Sequence, residues 1–134
     1  MKIYYREKSG GIEILRCFGI EGRVEIPGMI DGKLVISAAP YAFSSHMDEK
    51  EELKNASLWE VSEGLGFGRE EHVLAGNDVE EIVFPDTLKE IGRYIFYGCG
   101  NLKKLEFSDS LMQIGCGAFT GCHALEKLTV HMRQ

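Results

Sequence analysis

Residues 79–130 say the same thing twice and begin a third time. They read VEEIVFPDTLKEIGRYIFYGCGN, then LKKLEFSDSLMQIGCGAFTGCHA, then LEKLTV, in steps of 23 residues. Val79, Leu102 and Leu125 open the passes; Ile82, Leu105 and Leu128 follow, then Phe84, Phe107 and Val130. Leu88/Leu111, Ile91/Ile114, Gly92/Gly115, Phe96/Phe119, Gly98/Gly121 and Cys99/Cys122 complete the frame. A fixed period of this size marks a stacked array, because one such unit cannot bury its own apolar face. Within a pass, Ile82 and Phe84 lie two apart and share one side of a short strand. Leu88, Ile91 and Phe96 carry further inward residues around a bend at Gly92. Stacked coils join their strands into a parallel sheet, and residues one step apart form columns.

The opening LxxLxL is that of a leucine-rich repeat. The remainder, of the form IPxxLxxIGxxAFxxC, resembles the BspA-type leucine-rich repeat of many bacterial proteins. Phe84-Pro85, Leu88, Ile91-Gly92, Phe96 and Cys99 carry the resemblance, then Phe107, Leu111, Ile114-Gly115, Ala118-Phe119 and Cys122. Where the general leucine-rich pattern has Asn or Cys after the strand, Thr87 and Ser110 stand instead. That fits the BspA type and argues against a helix of the ribonuclease-inhibitor kind on the convex side. The fold class implied is an α/β repeat solenoid: a right-handed leucine-rich-repeat array with short parallel strands and an N-terminal β-hairpin cap.

The whole chain, residues 1–134, reads as one such domain of about four coils. Residues 1–23 hold the cap. Lys2 to Phe18 alternate on both sides of Lys8-Ser9-Gly10-Gly11, which supplies turn residues. Residues 24–45 form the first repeat: Val24-Glu25-Ile26-Pro27 matches Ile82-Val83-Phe84-Pro85, and Ala38 to Phe43 matches Ile91 to Phe96. Its five extra residues fall in Gly28 to Lys33. Residues 46–78 are an irregular insertion or a degenerate repeat. Asp48-Glu49-Lys50-Glu51 has the form of a helix start, predicting a short helix from Glu49 to about Ser57. One step back from Val79, Ile82 and Phe84 lie Ala56, Trp59 and Val61, so the favoured expectation makes Leu58 to Val61 a degenerate repeat strand. The alternative is one inserted helix from Glu49 to Ser62. Residues 79–130 are the regular repeats. Nothing in His131 to Gln134 caps the last coil, which predicts self-association through that coil or continuation into a longer array.

The net charge is −6, which argues against a nucleic-acid footprint. No apolar run reaches the roughly 20 residues of a membrane helix, and MKIYYREKSGG lacks the apolar core of a signal peptide. The expected location is the cytoplasm, or the cell surface if the segment belongs to a longer exported protein.

No reaction is legible in the residues, and neither an enzyme nor a cofactor is expected. Cys99 and Cys122 share a column, close enough for a disulfide, but buried packing is the stronger reading. A metal site of His46, Cys99, Cys122 and His123 has no supporting ligand spacing. Gly64 to Gly68 lack the strand, helix and Lys-Ser/Thr of a phosphate loop, and Asp48 to Glu52 read as a solvated charge run. The outward strand residues are more informative: Glu25; Glu80, Glu81 and Val83; Lys103, Lys104 and Glu106; Glu126, Lys127 and Thr129. The predicted columns are Glu80–Lys103–Glu126 and Glu81–Lys104–Lys127. The function expected is a non-catalytic protein-interaction module that binds through Glu81, Val83, Lys104, Glu106, Lys127 and Thr129. The alternative is a structural repeat segment.

Overall fold

A computed structural model describes residues 1–19, 22–44, 53–60, 72–73 and 79–132. The strands, in chain order, are β1 (Lys2–Lys8), β2 (Gly11–Gly19), β3 (Arg23–Glu25), β4 (Met29–Ile30), β5 (Lys33–Ala38) and β6 (Ser57–Glu60). Then come β7 (His72–Val73), β8 (Glu81–Val83), β9 (Glu90–Ile91), β10 (Lys104–Ser108), β11 (Gln113–Ile114) and β12 (Lys127–His131). They build two sheets. The smaller runs β12-β10-β8-β3, and the larger runs β11-β9-β5-β2-β1-β6, with β4 on β5 and β7 on β2.

The period is a physical stacking distance. Glu81, Ile82 and Val83 pair in parallel with Lys104, Leu105 and Glu106, 23 residues on. Those pair with Lys127, Leu128 and Thr129 after the same interval. On the other side of each coil, Glu90 and Ile91 pair with Gln113 and Ile114. The first repeat joins in the register its sequence predicts: Val24 beside Ile82 and Ala38 beside Ile91. Apolar columns fill the space between the sheets. Phe84 and Phe107 stack with ring centroids 5.0 Å apart and planes 4° from parallel. Phe43, Phe96 and Phe119 form a second ladder, at 6.0 and 5.8 Å.

Main-chain groups are satisfied from coil to coil, as buried backbone requires. Even in the turns, Phe43 N donates to Ile95 O at 3.0 Å and Phe96 N to Ala118 O at 3.2 Å. Thr87 and Ser110 have a specific task. Thr87 Oγ1 donates to Val35 O at 2.7 Å, and Ser110 Oγ to Leu88 O at 3.1 Å. Val35 and Leu88 are equivalent, so this is one bond repeated, binding each coil to the one before.

Gly92 and Gly115 explain the tightness of the stack. A Cβ on Gly92 would lie 2.3 Å from Pro40 N, and one on Gly115 would lie 2.2 Å from Arg93 N. Successive coils touch backbone to backbone at this corner. The same contact corrects the α/β expectation: among the described residues there is no helix. A helix is about 10–12 Å across with its side chains, and coils built on one would not approach so closely. Short parallel strands β5, β9 and β11 and turns take its place, so the solenoid is all β where described.

Residues 53–60 require further corrections. Leu53, Lys54 and Asn55 form a turn and Ser57–Glu60 is a strand, so neither the helix ending near Ser57 nor the continuous helix to Ser62 forms there. Residues 45–52 lie outside the described part. Leu58 to Glu60 are not a degenerate repeat strand either. They pair antiparallel with β1, Ile3 opposite Trp59, while β3 pairs directly with β8 and leaves no slot between them.

The hairpin forms as its sequence predicts, with Lys8 opposite Gly11 and both loop residues, Ser9 and Gly10, at positive φ. The extra residues of the first repeat make a second hairpin, β4–β5, around Asp31-Gly32. Alternation misleads in β2, which is buried on both faces: Ile12 and Ile14 lie in the apolar core, while Glu13 is held by Arg6, Lys8 and Ser37. Its Glu13 and Arg16 are both buried. Arg16 Nη1 donates to Tyr41 O at 2.8 Å and also to Ser44 O, tying the hairpin to the first turn.

Candidate interaction face and a buried clamp

The outward residues of β3, β8, β10 and β12 form a grid, since parallel strands in register align their alternate side chains. One row is Arg23, Glu81, Lys104 and Lys127; the next is Glu25, Val83, Glu106 and Thr129. All six predicted face residues fall in these rows. Lys104 and Lys127 are exposed, and Glu81, Val83, Glu106 and Thr129 are half-buried. Sequence reasoning missed Arg23 and His131. Arg23 stands one residue before Val24 as Glu81 does before Ile82, so the repeat frame itself held the signal. Arg23 Nε lies 3.5 Å from Glu81, and His131 Nε2 lies 3.2 Å from Glu106. The neighbouring column also forms: Lys103 N donates to Glu80 O at 2.7 Å, their side chains lie 3.9 Å apart, and Glu126 N donates to Lys103 O at 2.9 Å. Lys104 and Lys127 face each other across β10 and β12, and Glu81 stands opposite Lys104 on its other side; among the described residues neither lysine forms an ion pair within 4 Å.

A second cluster was not foreseen. Glu13, Ser37 and Glu90 line up across β2, β5 and β9. Ser37 Oγ lies 3.0 Å from Glu13 and 2.9 Å from Glu90. Lys8 Nζ bridges both carboxylates, at 3.0 and 2.5 Å, and Arg6 Nη2 reaches Glu13 at 2.6 Å. This clamp joins the hairpin to two successive coils. Its hydrogen bonds to Lys8 and then to Ser37 hold the Glu90 carboxyl below its usual value of 4.5. Hydrogen bonds to Glu90 and then Glu13 raise the Lys8 amine above 10.5. A depressed carboxyl adds stability above its unfolded value and loses it as pH falls through the folded one. A raised amine adds stability below its unfolded value and loses it as pH climbs past the folded one. Glu90→Gln is therefore expected to flatten the decline in unfolding free energy below about pH 4.5. Both ends are partly exposed, so the effect should not exceed about 1 kcal/mol; denaturant titrations at stepped pH would read it.

Cys99 and Cys122 pack in one column. Cys99 Sγ donates to Phe43 O at 3.3 Å and Cys122 Sγ to Phe96 O at 3.4 Å, again one bond repeated a coil apart. None of the four cysteines forms a disulfide. Burial pushes the Cys99 thiol up to about 12 and raises that of Cys122. The thiolate is the reactive form, so folded protein at pH 8 should label at exposed Cys116 first, at Cys122 more slowly and at Cys99 only on unfolding. Mass spectrometry after iodoacetamide would show the order. Among the described residues no group of three or more His, Cys, Asp or Glu is placed to hold a metal. His123 is exposed, and His46 and Gly64 to Gly68 lie outside the described part.

Residues 70–133 match the family described as BspA type Leucine rich repeat region (6 copies). Over these residues, a little under half of the chain, the protein is similar to the BspA-type leucine-rich repeat family. The segment holds fewer than three 23-residue steps, so the six copies describe the family region. The BspA-type array is similar to a leucine rich cell surface protein from Faecalibacterium prausnitzii A2-165, with a TM-score of 0.63 and 20% identity over 96% of this chain and 30% of that one. The likeness is one of fold, and the chain spans about 30% of that protein's length. The T. pallidum leucine rich repeat protein aligns over 96% of this chain and 82% of its own, at 17% identity and a TM-score of 0.41. No curated protein matches. Among the described residues no helix is long and apolar enough to cross a membrane.

Proposed function

We propose that the chain is a non-catalytic protein-binding module whose recognition surface is the outer face of the small sheet. Glu81, Val83, Lys104, Glu106, Lys127 and Thr129 are its centre. The observation carrying this reading is the Lys104–Lys127 pair. Like charges directly opposite on adjacent strands are unfavourable, whereas Arg23 and Glu106 on the same face have partners. A carboxylate-bearing segment of a partner protein would relieve that repulsion. The β1–β2 hairpin serves as the N-terminal cap, a role supported by the burial of Ile12, Ile14, Val24 and Ile26 around it. The same face would operate in the cytoplasm or, within a longer exported protein, at the cell surface named for the Faecalibacterium protein.

The test is an affinity capture from the native cell with wild-type chain and with Lys104→Glu/Lys127→Glu. The expected result is loss of the captured protein, with weakening at high salt. Equal capture by both chains would overturn the assignment. A structural role, as a segment that stacks on more of its own kind, is favoured by a different observation, the exposed apolar residues of the last coil.

A further inference from the structure

The charges of the outer face are sorted by sign. The row Arg23, Glu81, Lys104 and Lys127 holds three cations and one carboxylate. The row Glu25, Val83, Glu106 and Thr129 holds two carboxylates and no cation. Two residues along a strand span about 6.6 Å, so a positive row lies beside a negative one. Their charges are incompletely matched within the face. Arg23 reaches both Glu25 and Glu81, so one cation serves two carboxylates. Glu106 meets His131 at 3.2 Å, an exposed ring that carries charge only when protonated. Lys104 and Lys127 form no ion pair within 4 Å among the described residues.

Resting on the recognition face proposed above, we infer that the protein segment bound there is itself bipolar. It is an extended stretch with a carboxylate over Lys104 and Lys127 and a cation two residues away over Glu106. Residues i and i+2 of an extended chain point the same way and lie about 6.6 Å apart. That is the interval between Lys104 and Glu106, which share the outward side of β10. A segment laid along β10 therefore sets both of its charges against opposite ones at once. A uniformly acidic segment fits worse. Its second carboxylate stands over Glu106, and the repulsion there opposes the attraction at the lysines. A uniformly basic segment meets the lysines with like charge in the same way. Glu106 is half-buried, so its charge is screened less than that of a fully exposed group. Its neighbour Val83 on β8 is half-buried as well and offers an apolar surface to the stem of a Lys or Arg reaching Glu106. Complementary signs of this kind select a partner more than they add raw affinity.

Fluorescence anisotropy at low salt with two labelled synthetic peptides tests it. Both have threonine at alternate positions. Between the threonines, one alternates glutamate and lysine, and the other carries glutamate throughout. The mixed peptide is expected to bind at least ten-fold more tightly. Glu106→Gln should remove that preference, weakening the mixed peptide and strengthening the acidic one, with an unchanged circular dichroism spectrum. Glu60→Gln removes the same charge from an exposed position on β6, in the other sheet, and should leave the preference intact. Tighter binding of the acidic peptide, a preference that survives Glu106→Gln, or no binding of either peptide up to millimolar concentration would each overturn the inference. If the acidic peptide wins and Lys104→Glu/Lys127→Glu abolishes its binding, the recognition face stands and only the bipolar partner falls. If the lysine variant binds both peptides as wild type does, the face itself is wrong and the inference falls with it.

Discussion

Gly92→Ala is expected to cost at least about 3 kcal/mol, the upper end of the range for overpacking or beyond it. The added methyl would sit 2.3 Å from Pro40 N and 2.6 Å from Ala39 C. Backbone cannot rotate away as a side chain can, so the two coils must separate along the whole corner. Gly115→Ala meets Arg93 N at 2.2 Å, but its coil is the last of the ladder. Stability in an array is nearly a sum over units and their interfaces. Gly115→Ala should therefore unfold the final coil locally, while Gly92→Ala weakens the contact on which the first coil and hairpin rest. Gly28→Ala is the control, since its Cβ would find Pro85 Cβ at an ordinary 3.5 Å. Denaturant midpoints, with hydrogen exchange to locate the loss, would separate the three. A Gly92→Ala chain as stable as wild type would refute backbone-to-backbone stacking.

Phe96→Ala is expected to destabilise by about 3–5 kcal/mol, the range for removing a buried aromatic side chain. Phe96 is fully buried and touches aromatic rings from three directions: Phe43 at 6.0 Å, Phe84 at 6.1 Å and Phe119 at 5.8 Å. The void would open in the middle of the stack, where coils on both sides hold it apart. Phe119→Ala, one column step on, is half-buried and should cost clearly less. The measurement is the shift in denaturant midpoint at unchanged slope. Equal losses at the two positions would mean that the columns do not share one core.

How much was legible in the sequence varied with how local the cause was. The repeat frame placed Phe84 over Phe107 and Val24 beside Ile82, because burying a column against its copy is the one way such short coils keep apolar residues dry. It also placed the six face residues, since alternation along a strand fixes which side chains point outward. Alternation said nothing true of β2, because whether its second face is wet depends on what packs there. The Glu13–Lys8–Glu90 clamp was invisible for the same reason: its members are far apart in sequence and meet only when the hairpin lies across two coils. Tyr94 is the sharpest case. It adopts φ +53, equivalent Tyr41 adopts +60 and Gly117 adopts +68. No local preference puts tyrosine in a glycine-like backbone. The turn is imposed by hydrogen bonds from Tyr41 N to Arg93 O and Tyr94 N to Cys116 O.

The sequence by itself determined the period and the identity of the columns. Each follows from one coil needing an identical neighbour. The tertiary structure alone decided that the coils carry strands and turns in place of helices, and that Ser57–Glu60 leaves the array to pair with β1. It also decided which end is covered. Those outcomes depend on which edges and surfaces remain free after the columns have closed, and that is a property of the assembled chain.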